Sequence, residues 1–375
     1  MQSTSRVRLS ALACGVVLAS AALPAATHAA QAPADRRTVQ VVMVEFSDGG
    51  FTDAAGLRPA LETTYYGKKG SLVSYYDEIT RGRTTFAPAG ADPVIGPLTL
   101  PMAAACDSGR IADEAQKALA GKGVGESAYE HVSIVFPNEK AKCAYAGLGT
   151  VGGGKTWMPS QHFTIDALIH EFGHNLGYHH QKRLRCPDGD LGAGCKEDGE
   201  SHKSVMGGGG SAAGLSAAEL IHNKWLAGDE LTDVSASGTY TLRPLHGGGT
   251  GVRALRVPLG DKDQLVVELR ARAGSLDGVI QGVHAYRVSG GDYTRSALID
   301  PTPGEGKAAD ADALKAGTEL SDTTRKVSVR VVTSGDTEAT VAVTVPGAAA
   351  SAAAGAAGPG TGGTGAGTGG TAPAS

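Results

Sequence analysis

His170-Glu171-Phe172-Gly173-His174-Asn175-Leu176-Gly177-Tyr178-His179-His180 is the stretch on which the reading of this chain turns. Ile165, Leu168, Ile169, Phe172 and Leu176 recur at i, i+3, i+4, i+7 and i+11, the apolar face of a helix predicted over 163–176. Positions four apart on a helix lie about 40° from each other around the axis and one turn along it. His170 and His174 can therefore aim imidazole nitrogens at one point and share a zinc ion. Glu171 is turned by about 100° from His170, which suits it poorly as a ligand and well as the candidate general base toward a metal-activated water. Gly177 fits an abrupt helix end with positive φ, after which the chain can bring His180 round as third ligand. Three histidines leave a fourth position for water, the pattern of a catalytic zinc site rather than a closed structural one. His179 is one residue short of this spacing and reads as a solvated neighbour. His131, His162, His202, His222, His246 and His284 are given no role.

Working outward, the near-continuous apolar run over 38–46 (TVQVVMVEF) predicts a buried strand. Helical spacing is present over 72–81 and 111–119, residues 131–136 read as a strand, and the Gly-rich 147–157 reads as an edge strand or loop. This alternation predicts an α/β (α+β) domain with a mixed twisted sheet around the zinc helix. Ser216-Ala217-Ala218-Glu219 is a capping box that opens a further helix, with Gly228 as its expected end. Beyond Asp233, short alternating runs at 239–245, 251–257, 264–268, 282–288, 326–332 and 339–345 predict an all-β, sandwich-like region. The expected organisation is a catalytic domain over 30–232 and a C-terminal β domain over 233–346.

The two ends of the 375-residue chain differ from its middle. Residues 1–29 carry Arg6 and Arg8, an apolar run over 9–23 and small residues near 25–30, which predicts a secretory signal peptide. Residues 347–375 hold ten Gly, eleven Ala and no charge, too little apolar surface to order themselves, and read as a disordered tail. Without Arg6 and Arg8 the formal charge moves from −4 to −6, which excludes a polybasic nucleic-acid or anionic-membrane binder. No stretch reaches about 18 apolar residues, which excludes stable membrane insertion. The expected location is extracellular, or periplasmic in transit. Cys14 leaves with the signal peptide, and Cys106, Cys143, Cys186 and Cys195 are an even set suited to an oxidising compartment. They allow three pairings. Cys106 with Cys143 and Cys186 with Cys195 is preferred, since the last two are close in sequence and flank a Gly-rich loop. Calcium is considered for the acidic loop Asp188, Asp190, Glu197, Asp198 and Glu200, but EF-hand spacing is absent, and a solvated loop clipped by a disulfide is the preferred reading.

Downstream of His180 stands Ser204-Val205-Met206-Gly207. HExxHxxGxxH followed by a methionine in a tight turn resembles the metzincin clan of zinc endopeptidases. Further blocks are similar to its gametolysin-like branch: Tyr75-Tyr76-Asp77, Gly96-Pro97-Leu98-Thr99-Leu100-Pro101, Cys143-Ala144-Tyr145-Ala146-Gly147 and Gly282-Val283-His284-Ala285-Tyr286. The likeness covers most of 38–346. It implies a secreted zinc metalloendopeptidase with one catalytic zinc ion, a protein or peptide substrate lying extended beside 147–157, and Met206 as the apolar floor of the site. It also implies that 207–214 forms the specificity wall. Some metzincins place a tyrosine two residues after that methionine to support the tetrahedral intermediate; Gly208 stands there in this chain, so the oxyanion stabiliser is unassigned. Two other readings are a secreted zinc-containing cell-surface binding module without proteolysis, which leaves Glu171 without a use, and a zinc amidase acting on cell-wall peptides.

Overall fold

The computed structural model describes residues 35–192, 194–226, 228–301 and 313–347. The expected signal peptide, and the expected tail beyond Gly347, lie outside the described residues. The described residues all fall in one unit.

The first sheet contains β1 (Asp35–Glu45), β2 (Thr84–Pro88), β3 (Val94–Thr99), β4 (His131–Phe136), β5 (Leu148–Gly149) and β6 (Lys155–Pro159) in the order β2-β1-β4-β6-β5, with β3 also on β1. All its pairings are parallel except β5 with β6, so the sheet is mixed, as expected. The helices are α1 (Ala54–Tyr66), α2 (Leu72–Thr80), α3 (Ser108–Ala120), α4 (Ile165–Asn175) and α5 (Ala217–His222). Alternation along β1 explains its unbroken apolar run. Val39, Val41 and Met43 share a core with Leu61 of α1, Tyr76 of α2 and Phe172 of α4, while Val42 and Val44 pack with Ile111, Ala115 and Leu119 of α3. A strand covered on both faces has no polar side to show.

Two helices depart from the sequence reading. α1 is illegible from spacing because Pro59 lies inside it, and an internal proline argues against a helix. α5 has the expected capping box at Ser216 and Glu219, but it stops at His222, well before Gly228, with Lys224 at φ 60° just beyond the cap.

The remaining strands are β7 (Lys182–Arg185), β8 (Lys196–Glu200), β9 (Leu231–Asp233), β10 (Gly238–Leu242), β11 (Ala254–Gly260), β12 (Asp263–Arg270), β13 (Gly282–Val288), β14 (Ala297–Asp300), β15 (Glu319–Asp322), β16 (Val327–Ser334) and β17 (Ala339–Thr344). They form a seven-stranded sheet, β8-β7-β14-β13-β12-β11-β9, and a four-stranded sheet, β10-β17-β16-β15. Leu255, Val257, Leu265 and Val267 of the larger sheet share a core with Val329, Val331, Val341 and Val343 of the smaller. β7 pairs in parallel with β14, so the sheet crosses residue 232 and draws on both sides of the expected division. The opposite face of the larger sheet, through Val266, Tyr286 and Leu298, enters the core of α2 and α4. Cys106 is bonded to Cys143 and Cys186 to Cys195, the preferred pairing. Among the described residues, no helix is long and apolar enough to cross a membrane.

Candidate metal centre

Thr164 opens α4 by accepting the Ala167 amide, and the apolar face of the helix packs Leu168, Ile169 and Phe172 into the core. Two polar side chains hold its position. Tyr76 donates its hydroxyl to the Ile169 carbonyl at 3.0 Å, and the Asn175 amide group donates to the carbonyls of Thr150 (3.1 Å) and Lys155 (2.9 Å). Asn175 thus ties the helix end to β5 and β6. The helix ends in a Schellman motif: the Tyr178 amide donates to Gly173, the Gly177 amide donates to His174, and Gly177 adopts φ 101°.

The turn brings His180 against the two helical histidines. Ring centroids of His170, His174 and His180 are 4.8 to 5.0 Å apart, and one ligand nitrogen of each lies within 4.8 Å of the others. Each ring gives its Nδ1 to an oxygen: His170 to the Val205 carbonyl at 2.7 Å, His174 to the Tyr178 carbonyl at 2.7 Å, and His180 to the Glu200 carboxylate at 2.9 Å. A carbonyl only accepts, so Nδ1 of His170 and of His174 carries the proton, and Nε2 keeps its lone pair. Burial pushes the His170 pKa down and takes His174 to about 4, so both rings are neutral near pH 7. Three imidazoles oriented by carbonyl and carboxylate partners fit zinc.

Glu171 projects from the same helix and is 7% exposed. Burial raises its carboxyl to about 7, against the lowering effect of the Gly149 amide. Met206 is fully buried beneath the helix, and a Cβ on Gly173 would clash with its Sδ. Only glycine between the two histidines leaves room for that sulfur. The Met206 turn is closed by the Gly207 amide on the Ser204 carbonyl at 3.1 Å, and the Met206 carbonyl accepts the Gln181 amide at 2.8 Å. That bond joins the methionine turn to the segment that carries His180.

Sequence reasoning missed Asn175, Gly173 and the part played by Glu200. Glu200 appears in the sequence as one of several acidic residues, and only the pairing of Lys182 on β7 with Glu200 on β8 puts it beside His180. Its neighbours are engaged elsewhere: Glu197 lies 3.7 Å from Lys182, and Asp198 lies 3.2 Å from Arg183 and 3.3 Å from Arg185. These carboxylates face cations and do not converge on a point. A carboxylate behind a ligating imidazole orients it and raises its basicity, so Glu200→Ala should weaken zinc binding by about 10-fold or more in a chelator-competition titration. Unchanged affinity would remove Glu200 from the site.

Residues 38–214 match the family model for gametolysin peptidase M11. No curated protein matches the chain. A solved structure described as "Structure of a chaperone-substrate complex" matches at a TM-score of 0.25 and 14% identity, over 46% of this chain and 28% of that one. The chain thus spans under a third of that protein's length, and a likeness of this size carries no argument.

Proposed function

We propose that this chain, whose residues 38–214 match the model for gametolysin peptidase M11, is a zinc metalloendopeptidase and therefore a hydrolase, and that it is exported and cuts peptide bonds of extracellular or cell-surface proteins. The observation that carries the reading is the convergence of His170, His174 and His180 beside a buried glutamate. These three imidazoles would hold the metal. When bound, zinc supplies a Lewis acid and lowers the pKa of water toward neutrality. Glu171 takes the proton of the attacking water and returns it to the leaving amine, a task suited to a carboxyl that burial lifts toward 7. Met206 floors the site as a packing residue and makes no metal bond.

Substrate is placed along β5, which ends its sheet and has one free edge among the described residues. A peptide can extend such an edge by main-chain hydrogen bonds. Leu148 and Val151 are exposed there and offer apolar side chains to that peptide. Residues 207–214 would bound the other side of the cleft. Export is supported by the two disulfides and the expected signal peptide.

The purified protein with zinc should cleave casein or gelatin, lose that activity to a chelator and regain it when zinc is restored. Absence of chelator-sensitive cleavage would overturn the reading. Release of fragments from cell walls with little proteolysis would point to the amidase instead.

A further inference from the structure

The segment that leaves Met206 contains Gly207-Gly208-Gly209-Gly210 and has almost no side chains of its own with which to order its backbone. Its flanks, however, are held from the β region by a buried cluster of charged groups. Arg270, Glu268 and Asp277 have no exposed side-chain surface. The Arg270 guanidinium grips Asp277 through Nε (2.7 Å) and Nη2 (2.5 Å), and its Nη1 lies 3.0 Å from Glu268. Its remaining N–H groups reach the main chain: Nη1 donates to the Lys203 carbonyl at 3.1 Å and Nη2 to the Gly214 carbonyl at 3.0 Å. One side chain therefore spans both ends of the Met206 turn and the glycine run behind it.

Its two carboxylate partners hold the same segment. Asp277 accepts the Gly214 amide at 3.1 Å and donates its own amide to the Ala212 carbonyl at 2.8 Å, while Glu268 accepts the Ala217 amide at 2.5 Å. His246 adds a bond to the Leu215 carbonyl at 2.9 Å. The side chains that hold the segment, those of Arg270, Glu268, Asp277 and His246, all lie after β10, in the region for which the sequence suggests no catalytic part.

We propose that Arg270, oriented by Asp277 and Glu268, is a positioning residue that fixes segment 203–217 and so sets the shape of the specificity wall beside the metal site. The consequence for substrate rests on the peptidase reading; the positioning itself does not. A planar fork is needed to bind a carboxylate bidentately and two carbonyls at once, and a lysine at this position keeps the charge but cannot make that set of bonds.

The test is Arg270→Lys in the full-length, zinc-loaded protein, read by amide hydrogen exchange and by peptide cleavage. Exchange over 203–217 should rise about 10-fold relative to the amides of β1 and β4. KM for a peptide spanning the cleft should rise about 10-fold and the cleavage preference should broaden, with zinc stoichiometry unchanged and kcat altered by less than about threefold. Exchange that is unchanged, or that rises equally throughout the sheets, overturns the proposal. So does a loss of activity that tracks the folded fraction with cleavage preference intact. If Arg270→Lys does not fold, Asp277→Asn, which retains the Oδ1 acceptor, takes its place under the same criteria. If the wild-type protein cleaves no peptide at all, the peptidase reading fails and the exchange measurement alone decides the positioning.

Discussion

Glu171→Gln is expected to lower kcat/KM by about 10³-fold, or about 4 kcal/mol of transition-state stabilisation, while zinc content stays at the wild-type level. The glutamine has the same shape and can still accept the Gly149 amide that faces the Glu171 carboxyl, so the fold and the three imidazoles should be undisturbed. What it cannot do is accept a proton. The sign of the pH dependence follows. Only the ionised carboxylate is a base, so wild-type kcat/KM should fall as pH drops through the Glu171 pKa. Burial puts that pKa at about 7 without metal, and a neighbouring cation would draw it lower, so the acid limb should appear at or below pH 7. The residual activity of the glutamine variant should lack that limb. A zinc-loaded variant that keeps a tenth or more of wild-type activity would remove Glu171 from the chemistry.

His174→Ala is expected to abolish stoichiometric zinc binding and, with it, all measurable cleavage. Burial pushes the pKa of His174 down to about 4, which keeps its ring neutral and able to bind a metal near pH 7. Its loss leaves the metal with one helical ligand and the half-exposed His180. The fold itself should survive. The change deletes one hydrogen bond to the Tyr178 carbonyl, a cost of about 1 kcal/mol. In thermal melts, wild type should gain about 4 kcal/mol of stability when zinc is present at 1,000 times its dissociation constant. The alanine variant should gain none. Near-normal zinc affinity in a folded variant would show that the metal sits elsewhere.

The parts of this protein legible in its sequence are those set by local geometry. Helical period alone groups His170 with His174, and a glycine at the helix end predicts the turn to His180, because both relations span only a few residues. The nearness of Cys186 to Cys195 works in the same way. Met206 required a family resemblance, since nothing local says that its sulfur will lie against Gly173. Relations made by strand register stay hidden. β7 and β8 read KRLR and KEDGE, charged strings with the look of loops, and only their pairing in the sheet places Glu200 behind His180. The Arg270 cluster is further from reach: Lys203, Gly214, Glu268 and Asp277 meet through the folding of two distant segments, and no spacing rule connects them. α1 is hidden for a simpler reason, since Pro59 contradicts the pattern from which a helix is recognised.

The most direct test of the account is an anomalous-scattering map at the zinc absorption edge from crystals of the zinc-loaded protein. The account predicts one ion, about 2.0–2.1 Å from the Nε2 atoms of His170, His174 and His180, with solvent at the remaining position and Glu171 beside it. A fourth protein ligand closing the site, or an ion bound away from these three histidines, would contradict it.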